Sequence, residues 1–269
     1  MKKRILVLIK GLGIGGAEKL ISDGAEFWDR DSYDYRVAYV LPWKDQVVPD
    51  LEDLGVPVKC IGSERGMRPG VVGALRSLMT EWETDLVHAH LPATGILARL
   101  TARVPVVYTE HNVVTSYRLP TRLANRATYG RNAAVIAVSD AVGSSLTSYP
   151  GPDAKVIENG VSATLDPKAA SAARAELGVH QDQTLIVHVG NIRPHKGQSN
   201  LTSAVVELVK THPEVVVVSI GGEKFEGDLA RVQEGAQAAG VSDRLRFLGR
   251  RPDARAFTEA ADVYVNPAD

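Results

Sequence analysis

Four valines in a row, Val215, Val216, Val217 and Val218, restrict what this chain can fold into. β-Branched side chains crowd a helix and suit a strand. A strand without polar alternation has no face to offer water, so both of its faces must be covered. Short apolar runs recur at 5–9, 36–41, 58–61, 86–89, 106–109, 134–138 and 155–157, and again at 185–189, 215–220, 245–248 and 263–265. Helical patterns lie between them, for example at 17–28, 70–83 and 229–239. This repetition predicts a doubly wound α/β architecture with parallel sheets. The series pauses in the Ala-, Asp- and Gln-rich stretch 162–183 and then restarts. Two Rossmann-like domains are therefore expected, residues 1–165 and residues 166–269. The second has fewer strands, and the sequence stops just past the last of them. A sheet ending there lacks a covering helix, so a C-terminally truncated form of something longer is expected.

Composition narrows the function classes. Hydrophobic residues make up 44% and charged residues 23% of the 269, enough apolar material for a proper core. The net charge of −1 argues against a bulk nucleic-acid binder. Cys60 is the only cysteine, which excludes an internal disulfide and fits a reducing, cytoplasmic setting. The charged start and apolar run at 1–9 are cut short by Lys10, so they read as a first buried strand rather than a signal peptide. No stretch is long and apolar enough to span a bilayer.

Two loops carry the chemistry. Gly190-Asn191-Ile192-Arg193-Pro194-His195-Lys196-Gly197 follows a strand and opens a helix. Glycines, an arginine and a lysine between strand and helix suit an anion, with backbone N–H groups and cations aimed at one place. A phosphate or diphosphate is the natural guest. Gly11-Leu12-Gly13-Ile14-Gly15-Gly16 matches the dinucleotide fingerprint in form, but the second strand ends Val40-Leu41-Pro42-Trp43-Lys44 without the ribose-binding carboxylate. A nicotinamide enzyme is disfavoured. A plain strand-to-helix turn and a backbone approach to a ligand both remain open.

His88 and His90 share one face of a strand, because strand side chains alternate with period two. Parallel pairing would bring His90 and His111 to the same carboxyl edge. A core role for His88, a metal site from all three histidines, and polar contact of His90 and His111 with a sugar or acceptor hydroxyl are the competing readings.

Taken in order, Gly15-Gly16-Ala17-Glu18-Lys19, His88-Ala89-His90, Glu110-His111, Val138-Ser139, Glu158-Asn159-Gly160-Val161, the 190–197 loop, Arg246-Phe247-Leu248-Gly249 and Ala261-Asp262-Val263 resemble the retaining glycosyltransferases of family 4, which have the GT-B fold. The resemblance covers nearly the whole chain. It implies two Rossmann-like domains facing a cleft, a nucleotide-sugar donor on the C-terminal one and an acceptor on the N-terminal one. It further implies transfer with retention, no metal, no cofactor beyond the NDP-sugar substrate, and a place in polysaccharide biosynthesis. Gly15 and Gly16 would lie near the donor phosphates or the acceptor, His90 near the transferring sugar and His111 on the acceptor side. Ser139 and Asn159 would border the cleft, although Ser139 also reads as a plain helix cap. Arg193 and Lys196 would hold the diphosphate, and Phe247, Leu248 and Gly249 would line the base region, with Phe247 also a core candidate.

Two departures from the family pattern matter. Asn191 stands where many relatives have arginine, so Arg193 is the substitute candidate. The Glu-x7-Glu segment that holds the donor in relatives is absent, which predicts weak donor binding and no turnover from these residues alone. Arg118, Arg122 and Arg126 recur at four-residue spacing with Arg131 beyond. They form either a solvated helix face or a surface for an anionic acceptor or membrane. The expected partners are a nucleotide-sugar donor and a glycan, lipid-linked or small-molecule acceptor, with peripheral contact at the inner face of the membrane and no nucleic acid. A non-catalytic binding protein that keeps only the acceptor domain, and a metal hydrolase centred on the histidines, are the alternatives.

Overall fold

The computed structural model describes residues 2–268 apart from 65, 67, 162–164, 194–195 and 224. The chain divides into two compact units, Met1–Ser162 and Ala163–Asp269. The first unit contains β1 (Lys3–Ile9), α1 (Gly16–Gly24), β2 (Tyr33–Tyr39), α2 (Val48–Asp53), β3 (Val58–Cys60), α3 (Gly70–Glu81), β4 (Leu86–His90) and α4 (Pro92–Thr101). It continues with β5 (Val106–Glu110), α5 (Leu119–Tyr129), β6 (Ala134–Ala137), α6 (Asp140–Leu146) and β7 (Ala154–Val156). Its sheet has seven strands in the order β3-β2-β1-β4-β5-β6-β7, all paired in parallel.

The second unit contains α7 (Pro167–Glu176), β8 (Leu185–Val189), α8 (Gln198–Leu208), β9 (Val216–Ile220), α9 (Asp228–Ala238), β10 (Leu245–Gly249), α10 (Ala254–Ala260) and β11 (Val263–Tyr264). Its four strands run parallel in the order β10-β9-β8-β11. In both sheets the strand order reverses beside the first strand of the unit, the place where open α/β sheets bind ligands.

The cores explain the unalternated apolar runs. On β9, Val216, Val218 and Ile220 join a cluster with Leu185, Val187 and Phe257, while Val215 and Val217 join one with Leu201, Val205 and Phe247. Each face of the sheet is dry, so each parity must be apolar. β1 behaves the same way, with Leu6 and Leu8 on one side and Val7 and Ile9 on the other.

Each of the eleven expected strands is present, with ends shifted by up to three residues. β2 starts at Tyr33 rather than 36, because its polar first residues pair with β1 through the backbone whatever their side chains. The pattern at 17–28 breaks after Gly24 into a 3-10 turn at Ala25–Phe27, and Trp28 leaves the helix to stack on Tyr35 at 4.6 Å. No described helix is long and apolar enough to cross a membrane.

Candidate functional site

Parallel register places His90 opposite Thr109 and His88 opposite Val107, so these side chains and that of His111 rise from one face of β4 and β5. His90 Nδ1 lies 3.0 Å from His111 Nε2, and His88 Nε2 lies 2.8 Å from Thr109 Oγ1. The His88 and His90 rings are 4.3 Å apart. One nitrogen of the His90–His111 pair donates and the other accepts, which fixes two neutral tautomers against each other. His90 Nε2 makes no hydrogen bond among the described residues. Because the pair spends a lone pair internally, it is poorly arranged for one ion. Among the described residues no three His, Cys, Asp or Glu side chains are grouped to hold a metal.

Leu91, directly after His90, has φ 71° and ψ 154°, a region that normally requires glycine. It is held by its N–H to the Thr109 carbonyl at 3.1 Å and by Pro92, which demands an extended predecessor. The strained turn swings α4 away and leaves the histidines at the carboxyl edge.

The other face of β5 carries Tyr108 and Glu110; the sequence motif Glu110-His111 named the glutamate without giving it a role. Glu110 is fully buried. Its carboxylate accepts from Tyr108 Oη and Tyr117 Oη, both at 2.6 Å, and from the N–H groups of His111 at 3.0 Å and Asn112 at 3.3 Å. Burial pushes its pKa up while these donors pull it down, with burial prevailing. Arg99 of α4 lies 4.9 Å over the Tyr108 ring and bonds Thr128, Asn132 and Asn125. A Cβ on Gly95 would sit 2.7 Å from Tyr108 Cε2, so only glycine admits the ring there. Arg99, Tyr108 and Glu110 thus form a buried line that ends on the His111 main chain. The signal was a charged residue inside an apolar α4, which a hydrophobicity pattern scores as a helix surface.

Burial holds His88 and His111 at about 4, with the His111 charge also acting against His88, and holds His90 well below the usual imidazole value of 6.5. The unfolded chain therefore takes up protons first as pH falls below about 6.5. Stability supplied by the neutral imidazoles is complete above 6.5 and drains between 6.5 and 4, by at most on the order of 3 kcal/mol per histidine. Glu110, whose pKa burial raises, has the opposite sign and recovers some stability as pH falls. Thermal unfolding from pH 7.5 to 5 should show a falling Tm, and His111→Asn should flatten the slope; an unchanged slope would contradict this assignment.

In the second unit the carboxyl edge is built from glycines. Gly190 N–H bonds the Ile220 carbonyl, Ile192 N–H bonds Gly222 and Gly221 N–H bonds Gly249, at 2.8 to 3.0 Å. A Cβ on Gly221 would lie 1.9 Å from the Gly190 oxygen, and one on Gly197, whose φ is 72°, would lie 2.0 Å from the Pro267 oxygen. Gln198, at the start of α8, ties down the Gly190 and Asn191 carbonyls at 3.3 and 3.1 Å. Lys196 N–H bonds the Arg193 carbonyl at 2.9 Å, and the Arg193 side chain is exposed. His188, also unforeseen, is fully buried beneath Gly190, with Nδ1 2.9 Å from Ser219 Oγ and Nε2 without a hydrogen bond among the described residues. Burial and the nearby Lys196 charge lower its pKa.

The remaining candidates are placed as follows. Gly15 is the N-cap of α1 and Gly16 its first residue, exposed with open space around it. Ser139 caps α6, accepting from Val142 N–H at 3.3 Å. Asn159 is exposed after β7. The Phe247 side chain packs in the core beside α8 and Leu248 packs toward Phe257, while Gly249, with φ 70°, ends β10. A surface cavity of about 480 Å³ lined by Lys2, Arg4 and Tyr33 lies at the amino end of β1 and β2, away from this chemistry.

Comparison with known proteins finds a match to Glycosyltransferase Family 4 over residues 14–165 and to Glycosyl transferases group 1 over residues 170–269. A phosphatidyl-myo-inositol mannosyltransferase of Mycobacterium tuberculosis is 29% identical over 221 residues, covering 79% of this chain and 56% of the relative. A D-inositol 3-phosphate glycosyltransferase of Corynebacterium efficiens is 31% identical over 212 residues, 69% of this chain and 50% of the relative. The chain thus spans about half the length of these relatives. Among solved structures, Anabaena Alr3699/HepE in complex with UDP superposes with a TM-score of 0.78 at 26% identity, covering 100% of this chain and 74% of that one.

Proposed function

The chain belongs to glycosyltransferase family 4, and from that premise we propose that the whole protein moves a sugar from a nucleoside-diphosphate donor to an acceptor hydroxyl with retention of configuration. Its two Rossmann-like units are of the GT-B type. The observation that carries the donor assignment is the glycine-built carboxyl edge of the second sheet, where the Lys196 side chain lies 3.9 Å from where a Cβ on Gly190 would sit and where Gly197 opens α8. Side chains at 190 or 221 would collide with His188 or the Gly190 carbonyl and distort that edge. As the bond from sugar to diphosphate breaks, negative charge grows on the leaving group, and a fixed cation with backbone amides stabilises it. Lys196 is assigned that role, with Arg193 as the second cation and Gly249 beside the base.

On the first unit, His90 offers Nε2 toward the transferring sugar, and His111 orients it from the acceptor side. Being neutral, the pair can donate to or accept from hydroxyls without a charge penalty. Gly15 and Gly16 supply backbone N–H groups, and Ser139 and Asn159 border the same acceptor region. The acceptor is a glycan or a lipid-linked polyol, and the work is done in the cytoplasm at the inner face of the membrane. The inositol-containing acceptors in the names of the mannosyl and glycosyl relatives support a polyol hydroxyl as nucleophile.

Calorimetric titration tests the donor half. UDP, GDP and ADP are compared with the corresponding monophosphates, because a site built for a diphosphate gains its affinity from the second phosphate. Lys196→Ala is expected to weaken diphosphate binding by roughly tenfold or more, the scale of one charge-assisted contact. Equal affinity for mono- and diphosphates, or an unaffected Lys196→Ala variant, would remove the assignment.

A further inference from the structure

Helix α5 is turned inside out. Its buried side carries Asn125 and Tyr129, with Thr121 and Thr128 partly covered. Its outward side carries Leu119, Pro120, Leu123 and Ala127, and the two leucines are 60% and 58% exposed. A surface helix ordinarily sends its leucines to the core and its amides to water. Here Arg99 draws Asn125 inward at 2.5 Å, and that rotation turns the leucines outward. Arg118, Arg122 and Arg126 flank them one helical row away. The Arg126 guanidinium stays on the surface, over the Tyr149 ring at 5.7 Å. Between Glu110 and Asp140 the sequence holds four arginines and no carboxylate, although the whole chain is almost neutral.

We propose that the outer face of α5 docks on an anionic phospholipid bilayer. The leucines enter the boundary between headgroups and acyl chains, and the arginines meet lipid phosphates. Charge decides between this occupant and a second copy of the chain. A two-fold interface would set this face against itself and bring arginine against arginine. The position of the helix gives docking a purpose. Tyr117, just before α5, bonds the Glu110 carboxylate that also holds the His111 main chain. A docked α5 would therefore hold the histidine pair beside the surface that carries a lipid-linked acceptor. This deepens the inner-face reading above, and its test needs no sugar transfer.

The experiment is co-sedimentation of the full chain with vesicles of phosphatidylcholine alone or mixed with phosphatidylglycerol, at low and high salt. Binding is expected only on the anionic vesicles and should weaken as salt rises. Arg118→Ser with Arg122→Ser should reduce binding roughly 25-fold, about fivefold per arginine. Leu119→Ser with Leu123→Ser should reduce it by about tenfold or more at either salt. Arg118, Leu119 and Leu123 are exposed and Arg122 is half-buried, and an unchanged melting curve confirms that each variant is folded. Absence of anionic-vesicle binding, binding indifferent to salt or to both variants, or a dimer that the leucine variant dissociates, would each overturn the proposal. Vesicle binding without diphosphate binding would instead sink the donor assignment and leave this one standing.

Discussion

Arg99→Ala is expected to destabilise the first unit by roughly 3–5 kcal/mol, the cost of breaking a buried charge network at one partner. For a unit of this size that is on the order of 10 °C in Tm. Arg99 is 4% exposed and has no direct carboxylate partner among the described residues. Burial lowers its pKa to about 10, so it is charged at neutral pH, and Glu110 and Tyr108 favour that charge. Removing it strands the Asn125 and Asn132 oxygens and takes away the cation that offsets buried Glu110. The amide nitrogens of both asparagines already lack a partner among the described residues, so no local repair is at hand. Circular dichroism melting checks this. A Tm within about 2 °C of the parent would mean that the network is dispensable. The same change releases the inward pull on α5, so vesicle binding should weaken along with stability.

Gly221→Ala is the second large effect. The new methyl would have to occupy space 1.9 Å from the Gly190 carbonyl oxygen, which is backbone and cannot rotate aside. Relief requires β8 and β9 to part at their carboxyl ends, where Gly190 N–H bonds the Ile220 carbonyl. Overpacking of this kind costs about 3 kcal/mol or more. Diphosphate binding should fall below detection, because the displaced edge is the one that carries Lys196. Gly235→Ala is the matched control. It lies within α9 with open space around its Cβ, and should stabilise by about 0.5–1 kcal/mol. Intact diphosphate binding by Gly221→Ala would show that the edge is not part of the site.

Much of the fold was legible because burial on both faces leaves a one-dimensional trace. Val215 to Val218 could be apolar at every position only if both parities faced a core, and the two clusters around Phe257 and Phe247 are those cores. The glycine loops were legible for a related reason, since a run of residues without side chains marks where backbone must approach something. Strand ends were less legible. The first residues of β2 pair through their main chain, and their tyrosines and aspartate carry no apolar signal.

The candidate site was only half visible. His90 and His111 could be paired from period two and parallel register, because both are local rules. Glu110, Arg99 and Tyr108 could not, since a buried ion and its distant partners look like surface residues until helix and strand are packed together. His188 was hidden by its place within an apolar strand.

By itself the sequence determined the architecture: parallel sheets covered on both sides, two glycine-rich loops, and histidines in phase on neighbouring strands. These follow from periodicity and from the steric limits of single residues. Only the tertiary structure decided which charges are buried, why α5 faces its leucines outward, and how closely Gly221 approaches Gly190. Those depend on contacts between segments far apart in the chain, whose energies no local pattern encodes.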